Sequence, residues 1–321
     1  MSVVLAGGAG FIGSKLAARF LARGRHVLVL DDLCRGRQEY LEQLTPRDHL
    51  HFVETDLAKP EKTTAVMRDF HMAHPVDTVW HMAANSDIPA GIADATVDLR
   101  DTFMTTFSLL EAMKPLGIRR LAFASSSAIY GDLGPETRLH ENIGPLLPIS
   151  NYGAMKLASE AIISAAAESW LQTAWIFRFP NVVGTPATHG VILDFVRKLK
   201  SDPSVLSVLG NGTQQKAYLH VDDLVEAMLF IAENAKDKIN LYNIGPEDAG
   251  CTVRGIAEAT VARVSPNARI TYGDEPRGWV GDVPKFAYSV DKLAALGWRT
   301  PHSSIGAVEK AVDEIASQEG V

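Results

Sequence analysis

Tyr152 and Lys156 stand four residues apart in "NYGAMKLASEAIISAAAESW", a stretch with helical spacing. Residues i and i+4 share one face of a helix. A phenol normally titrates near pH 10, and a neighbouring ammonium favours the phenolate. A tyrosine so depressed can act as a general base at neutral pH, and the lysine can also hold a nicotinamide ribose. Upstream, Ser126 in "ASSSAIYG" can hydrogen-bond a reacting hydroxyl and relay its proton to Tyr152. Each feature has a bland alternative. Tyr/Lys pairs of this spacing occur by chance on helix surfaces, and three serines can simply fill a tight strand exit. Met155, beside the lysine, transfers no proton but can reshape an apolar pocket.

The elements that must position these groups begin at the N-terminus. "SVVLAGG", "GSKLAARFLARG" and "RHVLVLDDL" read as strand, glycine turn, helix and strand, a βαβ unit. Gly7, Gly10 and Gly13 form G-x-x-G-x-x-G at the turn. Glycine there lets backbone approach a pyrophosphate, and the following helix offers free N–H groups at its positive end. Asp31 ends the second strand about 20 residues on, where a carboxylate can bind the adenosine ribose. That carboxylate would repel a 2′-phosphate, so NAD is expected rather than NADP. Arg35 and Arg37 can soften that preference or be solvated loop charges. Asp56 and Leu57 end the third strand, and the spacing leaves an adenine contact and a simple turn cap equally open.

The alternation continues through "VDTVWHMAA", "TFMTTFSLLEAMKPLG", "IRRLAFASSSAIYG" and "QTAWIFRFPNVVG". Strands apolar on both faces imply a parallel sheet covered on both sides. The expected fold is α/β, a Rossmann-type doubly wound parallel sheet with a smaller C-terminal substrate lobe. Polar Gly/Pro-rich loops after residue 180 mark that lobe. The expected boundaries are 1–180 with 218–245 for the NAD-binding domain, and 181–217 with 246–321 for the lobe.

Composition narrows the class. The 321 residues are 46% hydrophobic and 21% charged, as in ordinary globular proteins. A net charge of -7, with no basic cluster beyond "DDLCRGR", argues against a nucleic-acid surface. Cys34 and Cys251 form neither a disulfide framework nor a metal motif, and the ten histidines contain no HExxH pair, so no metal site is expected. No apolar run nears the ~20 residues of a membrane span, and a strand pattern at the very start predicts no signal peptide. A cytoplasmic location is expected.

Read together, "GGAGFIGS", "DDLCRG", "TDL", "HMAANSD", "SSSAIYG", "YGAMK", "RFPNVVG", "GNGTQQKAYLHVDDLVEAM", "RGWVGDVP" and "LGW" resemble, in order, the extended short-chain dehydrogenase/reductase family, specifically its sugar-nucleotide epimerases and dehydratases. The resemblance runs from residue 3 to about 300. It implies that Ser126, Tyr152 and Lys156 are catalytic. It extends the cofactor set to Phe11, Ile12, Asp32, Asp56, Leu57 and Ala83. It implies substrate contacts for Ser126, Ser127, Asn181 and Val191, and a diphosphate clamp of Lys216 and Arg277. It further implies a UDP-linked sugar as substrate and a homodimer.

The family's shared step takes a hydride from sugar C4 to NAD and makes a 4-keto sugar. Return of the hydride to the other face gives 4-epimerisation, whereas loss of the C6 hydroxyl gives a 5,6-alkene. The 4,6-dehydratases carry an Asp-Glu pair after the Ser/Thr; here those positions are Ser127 and Ala128. Thr102 stands where many relatives have a helix Asn. The chain also resembles the UDP-N-acetylglucosamine 5,6-dehydratases of tunicamycin biosynthesis, in which case Asp87 is the candidate C5 base, unless it only caps a helix. The expectation adopted from sequence is that 5,6-dehydratase, with the UDP-glucose/UDP-GlcNAc 4-epimerase as alternative.

Overall fold

The computed structural model describes residues 1–134, 137–275 and 287–321. Seven strands build the main sheet: β1 (Ser2–Ala6), β2 (His26–Asp31), β3 (Leu50–Glu54), β4 (Val76–His81), β5 (Arg120–Ala124), β6 (Thr173–Arg178) and β7 (Ile239–Asn243). Their order across the sheet is β7-β6-β5-β4-β1-β2-β3. The pairs β1–β2, β2–β3, β1–β4, β4–β5 and β5–β6 are parallel. Parallel neighbours need a crossover. Helices Phe11–Ala22, Pro60–Ala73, Thr105–Leu116 and Asn151–Ser169 lie in the crossovers from β1 to β2, β3 to β4, β4 to β5 and β5 to β6, and the β2-to-β3 connection holds only the short helix Glu39–Glu42 and a 3-10 turn.

The period-2 alternation of a strand explains why these segments are apolar throughout. Val4, Ala6, Leu28, Leu30, Leu121, Phe123, Ala174 and Ile176 share a core with Met67, Phe70, Leu109, Met113 and Ile163 from the helices. The intervening Val3, Leu5, Val27, Val29, Trp175 and Phe177 are buried as well. Phe20 meets Trp80 edge-on, with ring centroids 5.2 Å apart. The strand order reverses between β1 and β4. In open α/β sheets, ligands bind outside the carboxyl ends of the strands at such a switch point.

The chain divides into two compact units, one of residues 1–131, 146–178 and 231–242, the other of 132–145, 179–230 and 243–321. This differs from the expected boundaries at 132–145 and 218–230, and strand pairing supplies the reason. Arg138–Leu139 pairs with Ala287–Tyr288, and Asn243 donates to the Leu139 carbonyl at 3.1 Å. Tyr218–His220 pairs with Asn181–Val183 and leads directly into the helix Val221–Asn234. The second unit has its own core from helices Val191–Ser201, Val253–Val264 and Ser304–Glu319, with Phe195, Leu199, Ile256 and Val312 buried. Among the described residues no helix is long and apolar enough to cross a membrane.

Candidate active site

The glycine turn is shaped by close approach. Gly7 has a φ of 77°, and a Cβ there would lie 2.6 Å from the Ala83 nitrogen. A Cβ on Gly13 would lie 2.1 Å from the Gly7 carbonyl oxygen. The turn therefore packs against the end of β4 with no room for side chains. Gly10 is the N-cap of the helix Phe11–Ala22 and contributes no side-chain cap, so no side chain of the cap residue occupies the first-turn N–H groups. Phe11 and Ile12, half-buried, open that helix. The cradle and the open helix end fit a dinucleotide pyrophosphate.

Asp31 is buried, and both of its oxygens already accept backbone hydrogen bonds, from Ala9 and from Leu33, each at 3.0 Å. It ties the glycine turn to the β2 exit, and burial raises its carboxyl above the ordinary range. Each oxygen keeps a further lone pair for a ribose hydroxyl. Asp32 is exposed and accepts from the Cys34 nitrogen. Asp56 accepts from the Ala58 nitrogen at 3.0 Å and pairs with Lys59 at 3.2 Å, the arrangement of a turn cap. Leu57 puts its side chain into the first unit's core. Asp87 caps the helix Ile88–Ala93 by accepting from Ala90 at 3.0 Å, and it pairs with Arg35 at 2.6 Å. Both bonds engage the group considered as a C5 base.

Ser126, Tyr152 and Lys156 come together at the carboxyl end of β5. Ser126 ends the strand exit as N-cap of the 3-10 turn Ser127–Tyr130, accepting from the Ala128 nitrogen at 3.1 Å. Its hydroxyl bears on the Tyr152 phenol, whose pKa it acts to lower. Ser150 caps the helix Asn151–Ser169 through the Gly153 nitrogen. Gly153 is required because a Cβ there would lie 2.5 Å from the Ala128 carbonyl, so the helix start seats directly on the serine turn. Lys156 is 1% exposed and donates to the Ala124 carbonyl at 2.6 Å. Its ammonium lies 4.7 Å above the Phe123 ring and 5.8 Å from the Tyr152 ring centroid.

The electrostatics correct one expectation. Burial pushes the Tyr152 phenol up to about 12, with the Ser126 hydrogen bond opposing and the Asp98 charge adding to the rise. Burial also pulls Lys156 down to about 7, against the Glu160 and Asp98 carboxylates. The chain alone does not depress the tyrosine, because its own burial outweighs the Ser126 contribution, and the lysine beside it is itself desolvated.

Two buried networks around the site have no motif that announces them. Arg178, at the end of β6, donates to both oxygens of Glu160, at 3.0 and 2.6 Å, and to the Tyr130 hydroxyl at 3.1 Å. Ser125 donates to the same Glu160 at 2.5 Å. Glu160 follows Tyr152 and Lys156 along one helix at i+8 and i+4, and that spacing is the signal available in the sequence. The second network is Asp98. It is fully buried, accepts from Asn85 at 2.9 Å through one oxygen, and its other oxygen has no hydrogen-bond partner. Burial raises its carboxyl above the ordinary range. It opens the π-helical segment Leu99–Met104, in which buried Thr102 accepts from the Asn85 nitrogen at 3.2 Å. Such segments are frequent at functional sites.

Ser127 opens the 3-10 turn and is partly exposed. Asn181, Val191 and Lys216 lie in the second unit. Asn181 is exposed on a short strand, Val191 starts the helix Val191–Ser201, and Lys216 sits on the strand Gln215–Lys216, paired with Cys251. Arg277 falls outside the described residues.

The sequence profile of the NAD dependent epimerase/dehydratase family matches residues 3–245. A UDP-glucose 4-epimerase of Azospirillum brasilense is 27% identical, with 99% of this chain and 94% of that protein aligned. The solved structure of a Thermus thermophilus UDP-glucose 4-epimerase in complex with NAD is 30% identical at a TM-score of 0.85, over 100% of both chains. A UDP-galactose 4-epimerase structure is 33% identical at a TM-score of 0.83, over 99% of both. With a glycine cradle at the switch point and a Ser-Tyr-Lys cluster beside it, the chain belongs to the NAD dependent epimerase/dehydratase family.

Proposed function

We propose that this NAD-dependent enzyme modifies a UDP-linked hexose without net redox change, through transient oxidation at C4. The observation that carries the reading is the meeting of Ser126, at the strand exit, with Tyr152 and with Lys156 buried one helical turn further on. The first unit is the NAD-binding half: Gly7, Gly10 and Gly13 cradle the pyrophosphate, Asp31 meets the adenosine ribose and Lys156 the nicotinamide ribose. When bound, NAD would supply a hydride acceptor for C4 and a positive charge that favours the phenolate. Tyr152 takes the C4 hydroxyl proton and Ser126 holds that oxygen in line. Lys156 stabilises the phenolate, which its own charge can do only while it remains protonated. Asn181, Val191 and Lys216 serve the diphosphate and sugar from the second unit, together with Arg277.

Of the two outcomes for the 4-keto sugar, 4-epimerisation is the better supported. It needs no second acid/base group, and Asp87, the candidate for one, is engaged as a helix cap and ion pair. The similar proteins carrying 4-epimerase names support the same outcome. A second reading, the UDP-N-acetylglucosamine 5,6-dehydratase, is favoured by Asp98. A buried carboxyl with an unused oxygen and a raised pKa, charge-coupled to both Tyr152 and Lys156, has the chemistry that C5 deprotonation needs.

Turnover of UDP-glucose and UDP-GlcNAc in D₂O, followed by NMR, separates the readings. The epimerase yields the C4 epimer with no deuterium at C5. A vinyl product lacking the C6 oxygen establishes the dehydratase instead. Consumption of added NADH with accumulation of a reduced sugar refutes both.

A further inference from the structure

Four histidines converge at the sheet edge opposite the glycine turn. His26 begins β2, His51 is the second residue of β3, His74 follows the helix Pro60–Ala73, and His49 ends the 3-10 turn Arg47–His49. The His26 ring lies 4.2 Å from that of His74 and 4.1 Å from that of His49, and the His51 and His74 rings are 5.0 Å apart. One ring nitrogen each from His26, His51 and His74 falls within 4.8 Å of the others. Buried Nδ1 of His26, Nδ1 of His49 and Nε2 of His51 have no hydrogen-bond partner. Buried polar atoms are ordinarily satisfied, so three orphans in one cluster ask for a common partner. None of these residues belongs to the active site. His71, in the same helix as the His74 junction, is different: its Nδ1 accepts from the Val76 nitrogen and is used.

We propose that His26, His51 and His74 bind a divalent transition-metal ion of the zinc class, with His49 beside them as a fourth donor. Imidazole nitrogens suit zinc, copper and nickel, and not magnesium or calcium. Zinc with Zn–N bonds of about 2.0–2.1 Å in a tetrahedron needs ligand nitrogens about 3.4 Å apart. From separations of at most 4.8 Å the rings close by about 1.4 Å or less, within reach of side-chain rotation. The ion ties β2, β3 and the end of helix Pro60–Ala73 together, a structural site remote from the chemistry.

The test uses the full chain, free of any histidine tag and stripped with a chelator. ZnCl₂ titration by calorimetry, in competition with a chromophoric chelator, reads stoichiometry and affinity, and Co²⁺ reads geometry through its visible bands. One equivalent bound, a higher melting temperature with zinc, and at least tenfold weaker binding in both His51→Gln and His74→Gln are expected. His74 lies past its helix end, so His74→Gln carries the comparison if His51→Gln does not fold, with circular dichroism and bound NAD as the check. Absence of a one-equivalent site in the parent, or equal affinity in the variants, overturns the proposal.

Discussion

Glu160→Ala tests the buried network behind the catalytic helix. The Arg178 and Glu160 side chains are 4% and 8% exposed and 2.6 Å apart. Removing the carboxylate takes from a buried guanidinium the counter-charge that accepts two of its hydrogen bonds. Breaking one side of a buried pair costs about 3–5 kcal/mol. In a folding unit of this size each kcal/mol moves the melting temperature by about 2–4 °C, so a fall of roughly 6–20 °C is expected by calorimetry. The double variant Glu160→Leu/Arg178→Met should recover most of that loss, because an apolar replacement of a buried pair is often neutral. Glu160 is also the largest charge holding Lys156 up toward its ordinary pKa. Its removal should drop Lys156 further and move the alkaline limb of the activity profile to lower pH, since the lysine acts only while protonated. A Glu160→Ala protein melting within about 2 °C of the parent refutes this account. A double variant that loses the sum of the two singles refutes it as well, since contacting partners should couple.

Tyr152→Phe should lower turnover by about 10²–10⁴-fold, the size of a general-base contribution, while purified protein still carries NAD by absorbance and mass spectrometry. Gly7→Ala forces a Cβ into the Ala83 backbone at a φ of 77°. It should cost about 1–3 kcal/mol in denaturant titration and release NAD on gel filtration. The folded pKa of Lys156, about 7, lies below that of the unfolded chain. Between the two values the unfolded state holds the extra proton, so this group makes the ligand-free protein more stable as pH rises. The contribution is on the order of 2 kcal/mol from about pH 7.5 to about pH 9.5. Lys156→Met should flatten that rise in urea midpoints; an unchanged slope rejects the shift. Asp98→Asn separates the two outcomes by NMR assay: turnover lost by about 10²-fold or more supports a C5 acid/base role, whereas activity kept with a displaced pH profile leaves Asp98 as an electrostatic neighbour only.

Much of this enzyme is legible in one dimension because its determinants are local. Gly7, Gly10 and Gly13 announce a turn that must admit backbone, and unbroken apolar runs such as "VVLA" and "VLVL" announce strands buried on both faces. Tyr152 and Lys156 share a helix, so spacing alone puts them on one face. What needed three dimensions was everything contributed by segments far apart in sequence. Strand pairing assigned 132–145 and 218–230 to the second unit. Burial moved Tyr152 up and Lys156 down, opposite to the tyrosine's expected shift, since desolvation depends on the whole surroundings and not on a neighbour's identity. The pairing of Glu160 with Arg178, the unused oxygen of Asp98 and the meeting of His26, His51 and His74 obey no spacing rule. Each joins side chains from separate elements, and only the packed fold decides which of them touch.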